Sequence, residues 1–330
     1  MKKTPGTARY RKKARYRRCT KLLCTVACEL HTTSMIHARS LVKKYNGAAA
    51  LDGVSFDLEE HGIFGVIGHN GAGKTTLLKI LAGLMAPTSG TYHIDSIDVV
   101  AHPDVLKEKL GYLPEESRLY ETMTVDGYLT FFGEIYGLDH ATIAERSDIL
   151  LSSLSLEAGG KRIGELSKGM RRKVAIARSL IHEPSLLIYD EPTSGLDPMT
   201  SRYISEYLRD LRTRQKKTIV LSAHNLYQVE EICDKVMILR RGKEVAFGTM
   251  DELRETFGTL TYEIHFTMDD TRCLTGVLEY REEHGAYVAV VHDVDALNEV
   301  TACIAEGNGR VKKIESKYPS LEEMLVKIGK

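Results

Sequence analysis

Between the apolar run Ile63–Ile67 and the segment "LLKILAGL" stands the nonapeptide "GHNGAGKTT", Gly68–Thr76. No other stretch restricts the fold of this chain as tightly. The spacing Gly68-x-x-x-x-Gly73-Lys74-Thr75 meets the phosphate-cradling template at each fixed position. Phosphate oxygens must meet several backbone N–H groups at once, so the chain has to curl tightly and carry no Cβ where it touches the ligand. A helix that follows points its N-terminal N–H groups and positive dipole end at the same anion. Lys74 can then reach β- and γ-phosphates, and the Thr75 hydroxyl can take a Mg²⁺ position. His69, Asn70, Gly71, Ala72 and Thr76 complete the loop. An ordinary glycine turn could match the spacing by chance, but the strand before it and the helix after it favour phosphate.

The flanking sequence extends that pattern. From Met35 onward short apolar strands alternate with amphipathic helices: "VSFDL" and "IFGVIG" precede the loop, and "GTYHIDSIDV" follows its helix. A helical region is predicted over Val125–Leu154, a strand at "SLLIYDE", a helix near Thr200–Arg214 and a strand at "KKTIVLSAH". Such alternation implies an α/β layered domain with a largely parallel sheet. After "VMILRRGKEVAFG" the character changes. Strands at "LTYEIHF" and "AYVAVVH", a helix at Asp295–Ala305, a strand at Arg310–Ile314 and a last helix at Ser320–Ile328 read as a small α+β appendage. A length of 330 residues allows one large or two modest domains.

Apolar residues at 43% and charged residues at 27% are those of a soluble globular protein. No window approaches the roughly 18 uninterrupted apolar residues of a membrane span. The formal net charge of zero conceals an asymmetry. Residues 1–34 hold ten Lys/Arg and one acid, or +9, and the remainder holds 35 basic against 44 acidic residues, or −9. The cationic start and the short patch Leu22–Ala27 imitate a secretion signal or a lipoprotein site at Cys28, but the patch is short and broken by polar residues. Cys24, Cys28 and His31 are loosely spaced like metal ligands, without a fourth. A basic arm on anionic lipid or nucleic acid is a third reading. The plainest is a disordered extension, 1–34, ahead of a fold that begins at Met35. The six cysteines are scattered and form no framework, which suits a reducing compartment.

A triphosphate on the loop calls for a second acid at the end of an apolar strand. "LLIYDE" supplies Asp190 for the Mg²⁺ shell and Glu191 to orient or deprotonate water. Two exposed acids closing a strand would look the same, but "DEPTSGLDP" follows directly on "LSKGMRRKVAIARSLIHEPSLLIY". On these separated motifs, in this order, the chain resembles the ATP-binding cassette family over residues 36–250. The resemblance implies an α/β fold: a P-loop NTPase cassette with a mostly parallel core sheet, 35–250, and a helical subdomain at about 115–180. The small α+β C-terminal domain, 251–330, follows.

It also implies roles. Tyr45 matches the aromatic residue that stacks on adenine. Glu115 in "GYLPEE" stands where the family usually has a metal-touching glutamine, and its carboxylate can still coordinate Mg²⁺. "LSKGM" replaces the usual leucine-serine-glycine-glycine-glutamine signature. Ser167 and Gly169 keep the hydroxyl and the close backbone approach at a helix N-terminus, while Lys168 departs and is read as pointing to solvent. Asp197 matches the loop that crosses a dimer interface. His224 in "VLSAHN" matches the switch histidine on the γ-phosphate.

The implied function is an ATPase subunit with ATP and Mg²⁺ that pairs head-to-tail, as a homodimer or with another cassette. It would drive a separate multi-span membrane permease, peripherally on the cytoplasmic face of the membrane. "GYLPEE", "LSKGM" and the tail "IESKYPSLEEMLVKI" resemble a bacterial, export-type branch. Leu119, Tyr120, Met123 and Tyr128 are expected to form the apolar surface on which the permease docks. A soluble cassette on ribosomes or nucleic acid is the alternative. One signature instead of two and no heptad insertion disfavour it. A kinase or nucleotide switch is disfavoured by the signature and His224.

Overall fold

Three short strands buried from end to end set the architecture. The computed structural model describes residues 34–258, 260–268, 280–283 and 285–329. The basic segment with Cys19, Cys24, Cys28 and His31 lies outside them, as does Cys273. In chain order, β1 (Ser34–Tyr45) and β2 (Ala48–Glu59) form a hairpin, and β3 (Ile63–Ile67) leads through the glycine loop into α1 (Lys74–Leu81). Next come β4 (Ser89–Ile94), β5 (Ile97–Asp98), α2 (Pro103–Lys109) and β6 (Leu110–Leu113). Three helices follow: α3 (Val125–Ile135), α4 (His140–Ser153) and α5 (Lys168–Leu180). Then β7 (Leu186–Tyr189), α6 (Pro198–Gln215), β8 (Thr218–Ser222), α7 (Leu226–Ile232), β9 (Lys235–Arg240) and β10 (Lys243–Thr249) alternate. Last come α8 (Met250–Phe257), β11 (Thr261–Thr267), β12 (Tyr280–Glu283), β13 (Ala286–Val291), α9 (Val294–Glu306), β14 (Arg310–Lys317) and α10 (Leu321–Gly329).

The central sheet has the order β10-β9-β3-β8-β7-β6, parallel except at β10. β3, β7 and β8 are buried along their whole length, as strands covered on both faces must be. Leu113 pairs with Tyr189, Tyr189 with Leu221, and Val66 with Ser222. The carboxyl ends of β3, β6, β7 and β8 therefore reach one edge together. Gly68, Pro114–Glu115, Asp190–Glu191 and Ala223–His224 all emerge there, at the edge where open α/β sheets take their ligands.

A second, antiparallel sheet, β2-β1-β4-β5, packs its apolar face on α1. Ile36, Leu41, Leu51 and Tyr92 are fully buried with Leu77 and Leu78. A buried phenol needs a partner, and the Tyr92 hydroxyl donates to Leu81 O at 2.9 Å. The helix that carries the phosphate loop is thus fixed at its far end.

The helical region predicted over Val125–Leu154 is two helices. Gly137 turns the chain at φ 75°, and the Asp139 carboxylate caps α4, accepting from Ala141 N and Thr142 N at 3.0 Å each. Thr124 caps α3, its hydroxyl accepting from Gly127 N at 3.1 Å. Tyr128, expected on the docking surface, is 1% exposed and packs against Phe132 with ring centroids 4.8 Å apart and the rings tilted by 56°. Phe131 and Ile135 face outward instead, at 40% and 61%.

The third sheet, β12-β13-β11-β14, holds Ile264, Phe266 and Val291 against Val300 and Ile304 of α9. α10 then returns to the main core, where Leu321 and Met324 are fully buried. Leu321 N donates to Glu230 Oε1, and Arg240 Nη1 to Ile328 O, both at 2.5 Å. The scatter of the cysteines predicts no framework and suits a reducing compartment; Cys303 is nevertheless disulfide-bonded, whereas Cys233 is a free thiol.

Candidate active site

The glycine loop is held by close backbone packing. Gly73 sits at φ 108°, and a Cβ there would stand 2.5 Å from Ala50 O on β2. A Cβ on Gly68 would collide with the Leu239 carbonyl of β9. Only glycine suits either position, and the loop stays narrow enough to wrap an anion. Lys74, 6% exposed, folds back so that Nζ donates to Gly68 O at 2.7 Å and to His69 O at 3.5 Å. It therefore occupies the loop's own acceptors, which a phosphate would replace. Burial lowers its pKa, while Glu191, Asp190 and Glu115 pull the other way. Thr75 and Thr76 lie in the first turn of α1, with Thr75 exposed. His69, Asn70 and Gly71 are exposed around the loop and Ala72 is buried beneath it. The donor set fits a nucleotide's phosphates.

The acid pair sits one strand further along the edge, past β8. Asp190 is 2% exposed, and its Oδ1 accepts from Ser222 Oγ at 2.5 Å. The same hydroxyl accepts from Glu191 N at 3.0 Å, so β8 orients both acids through one side chain. Glu191 adopts φ 48°, an unusual conformation for a residue with a Cβ and one that concentrates at functional sites. Its carboxylate meets His224 Nε2 at 2.6 Å. Burial raises the Glu191 pKa; His224 opposes that shift, and the negative charge of Glu115 adds to it. A carboxylate raised by burial next to an exposed histidine is equipped to accept a proton.

The remaining sequence-derived residues surround this centre. Tyr45, 44% exposed at the end of β1, has Lys43 Nζ 5.6 Å from its ring centroid, and its hydroxyl meets Met85 Sδ at 2.8 Å. Glu115 is exposed on the loop after β6. Ser167 caps α5, accepting from Met170 N at 3.3 Å, and Asp197 caps α6, accepting from Thr200 N at 2.9 Å. Lys168 is exposed, as expected, but its Nζ reaches across Gly195, where a Cβ would collide with it. Gly169 faces Thr200, whose Cγ2 would stand 3.1 Å from a Cβ. The structure thus gathers Lys74, Asp190, Glu191 and His224 at the sheet edge, and sets Ser167 and Asp197 at two helix starts. Glu115 and Lys168 border one cavity of about 510 Å³, with Arg172 and Ser194.

Sequence reasoning missed two residues of this site. Ser222 signals itself only as a polar residue closing an apolar strand. Arg172 is one of four basic residues in "KGMRRK" and has no local mark that separates it from its neighbours.

Comparison with known proteins agrees with this geometry. Residues 51–194 match a family model described as ABC transporter, and residues 248–328 one described as ATP-binding protein DrrA1-3-like, C-terminal domain. The ABC transporter ATP-binding protein NatA of Bacillus subtilis is 37% identical over 221 residues, covering 66% of this chain and 89% of that protein. The Nod factor export ATP-binding protein I of Ralstonia nicotianae is 36% identical, covering 71% of each. A solved ATP-binding subunit of an ABC transporter superposes with a TM-score of 0.63 at 33% identity, over 68% of this chain and 93% of that one. Built as these proteins are over most of its length, the chain belongs to the ABC transporter ATP-binding proteins, a family of ATPases.

Proposed function

We propose that this chain works as a head-to-tail pair, hydrolysing ATP at the site around Gly68–Thr76 to drive an export permease from the cytoplasmic face of the membrane. The observation that carries the hydrolytic part is the 2.6 Å contact of Glu191 with His224, next to Asp190 and Lys74. On this reading Lys74 gives up its bonds to the Gly68 and His69 carbonyls and donates to the β- and γ-phosphates. Glu191 takes the proton of the attacking water, and His224 holds that carboxylate while contacting the γ-phosphate. Tyr45 offers its half-exposed ring to adenine. Thr75, Asp190 and Glu115 would hold Mg²⁺, which neutralises charge on the phosphate oxygens when bound.

Ser167, Lys168, Gly169 and Asp197 are assigned to the second nucleotide, the one bound by the partner copy. They stand at the starts of α5 and α6, where helix N-termini favour an anion. The export direction is supported by the Nod factor relative, whose name states export. Among the described residues no helix is long and apolar enough to cross a membrane. The permease surface is assigned to half-buried Leu119 and Met123 with exposed Tyr120, Phe131 and Ile135. Expressed with its native neighbours and extracted in mild detergent, the protein should co-purify with a multi-span membrane protein. Leu119→Glu or Met123→Glu should weaken that association and leave MgATP binding intact. Recovery of soluble partners alone, ribosomes included, would overturn the transporter reading.

A further inference from the structure

Arg172 lies in the second turn of α5 with 7% of its surface exposed. Its hydrogen bonds go to backbone carbonyls and one hydroxyl of two separate segments. Nη1 donates to Pro114 O at 2.8 Å, Glu115 O at 3.0 Å and Ser117 Oγ at 3.3 Å. Nη2 donates to Asp190 O at 3.0 Å and Glu191 O at 2.6 Å, and Nε to Pro192 O at 2.8 Å. A guanidinium is planar and its five N–H directions are fixed, so these acceptors are held in one geometry relative to each other. Burial pushes the group down to about 10, and the carboxylates of Asp190, Glu115 and Glu191 act against that, so it stays charged at neutral pH. Neighbouring Arg171 differs: it bonds Glu121 and the carbonyls of Gly164 and Leu166, away from the acid pair.

The Glu191 peptide explains why such a clamp matters. Its left-handed backbone is held from both sides, by Ser222 at the N–H and by Arg172 at the carbonyl. Displacing either partner would let the residue relax and turn its carboxylate away from His224. Meanwhile the same guanidinium grips Pro114 and Glu115, at the start of the loop that borders the 510 Å³ cavity.

We infer that Arg172 is a positioning residue for hydrolysis, fixing the Glu191 backbone against the Glu115 loop so that a shift of the loop reaches the catalytic carboxylate. The inference rests on the assignment of Glu191 as the base. Lysine keeps the buried charge but cannot span both segments with one ammonium group.

Steady-state MgATP hydrolysis by the full chain tests this, with fluorescent-nucleotide binding, melting temperature and hydrogen exchange measured on the same samples. Arg172→Lys should lower kcat by about 10²-fold, the scale of a misplaced catalytic group. KM and nucleotide affinity should stay within about threefold, which is under 1 kcal/mol. Exchange should rise together in peptides covering 114–118 and 190–193. Tens of millimolar guanidinium should restore part of the turnover of Arg172→Ala and none of that of Glu191→Gln. A folded Arg172→Lys protein with wild-type kcat would overturn the inference. So would losses that guanidinium does not restore and that follow the melting temperature, or exchange that rises in α5 alone. Wild-type turnover in Glu191→Gln would instead remove the assignment on which the inference rests, and the inference with it.

Discussion

His224 Nε2 lies 2.6 Å from Glu191 Oε1, although the two residues stand at the ends of different strands, β8 and β7. The contact exists because Tyr189 pairs with Leu221, which brings the two strand ends level. It joins a buried carboxylate whose pKa burial raises to a half-exposed imidazole that a ligand can reach. On the proposed mechanism the pair links the base to the part of the edge where a terminal phosphate would lie.

Replacing that base separates binding from chemistry. Glu191→Gln preserves shape and the bond to Ser222 while removing the proton acceptor. Hydrolysis should fall by about 10²–10⁴-fold, the usual contribution of a general base. ATP should still bind, and without product formation it should hold two copies together. Sedimentation with and without ATP measures the second outcome; wild-type turnover by a monomer would refute both.

Lys74→Ala tests the loop itself. The lysine pairs with the Gly68 carbonyl at 2.7 Å, so its removal deletes that bond together with the cation that a phosphate would meet, while the close backbone packing at Gly68 and Gly73 still holds the loop. MgATP affinity should fall by about tenfold or more, as expected for a lost charge-assisted bond of roughly 1.5–3 kcal/mol. Titration calorimetry reads the change directly. Unchanged affinity would end the phosphate-loop assignment.

What the sequence disclosed and what it withheld follow a physical division. The glycine loop's conformation was legible because its signal is local: spacing, missing Cβ atoms and the flanking strand and helix are all contained in fewer than twenty consecutive residues. Asp190 and Glu191 were legible for the same reason. Arg172 was not, since its partners are backbone carbonyls of segments 114–115 and 190–192, and carbonyls carry no residue identity. Tyr128 was misplaced because α3 is apolar on more than one side. Packing against the main core decides which ring turns inward, and an aromatic count cannot decide it. The strand order of the third sheet was equally hidden, because β11 pairs with β13 and β14 and not with its neighbour in sequence, β12.

A histidine outside the site should govern stability in acid. His182 stacks on Tyr136 with ring centroids 3.7 Å apart, its Nε2 meets Leu110 O at 3.0 Å, and its Nδ1 is buried without a hydrogen-bond partner. Burial pushes its pKa down to about 4, with the backbone bond to Leu110 opposing and nearby Lys217, Arg146 and Arg178 reinforcing the shift. The folded state therefore holds the neutral ring. Above a pH of about 6.5 neither state binds the proton and the residue has no effect on stability. Below it the unfolded chain gains a proton that the folded chain refuses, so stability falls with pH until about 4. Urea unfolding of wild type should lose about 2–3 kcal/mol more than His182→Gln between pH 7 and pH 4. Parallel losses in the two proteins would show that His182 is not the group responsible.

The last helix supplies the final test. Leu321 and Met324 are fully buried in the main core, and the Leu321 N–H is satisfied by Glu230 of α7. α10 therefore contributes to the stability of the cassette as well as ending the chain's third sheet region. Met324→Ala removes side-chain volume from a site with no solvent access, and such truncations cost about 2–5 kcal/mol because the surroundings collapse only partly. Glu323→Ala, on the exposed side of the same helix, removes the capping contacts from Ser320 N and Ser320 Oγ, worth about 1 kcal/mol. The unfolding midpoint should drop far more for Met324→Ala than for Glu323→Ala. The cassette's own transition should move too, as read by the melting of ATPase activity in the presence of nucleotide. If only a separate, minor transition shifts while ATPase activity melts at the wild-type temperature, then α10 is not coupled to the cassette core.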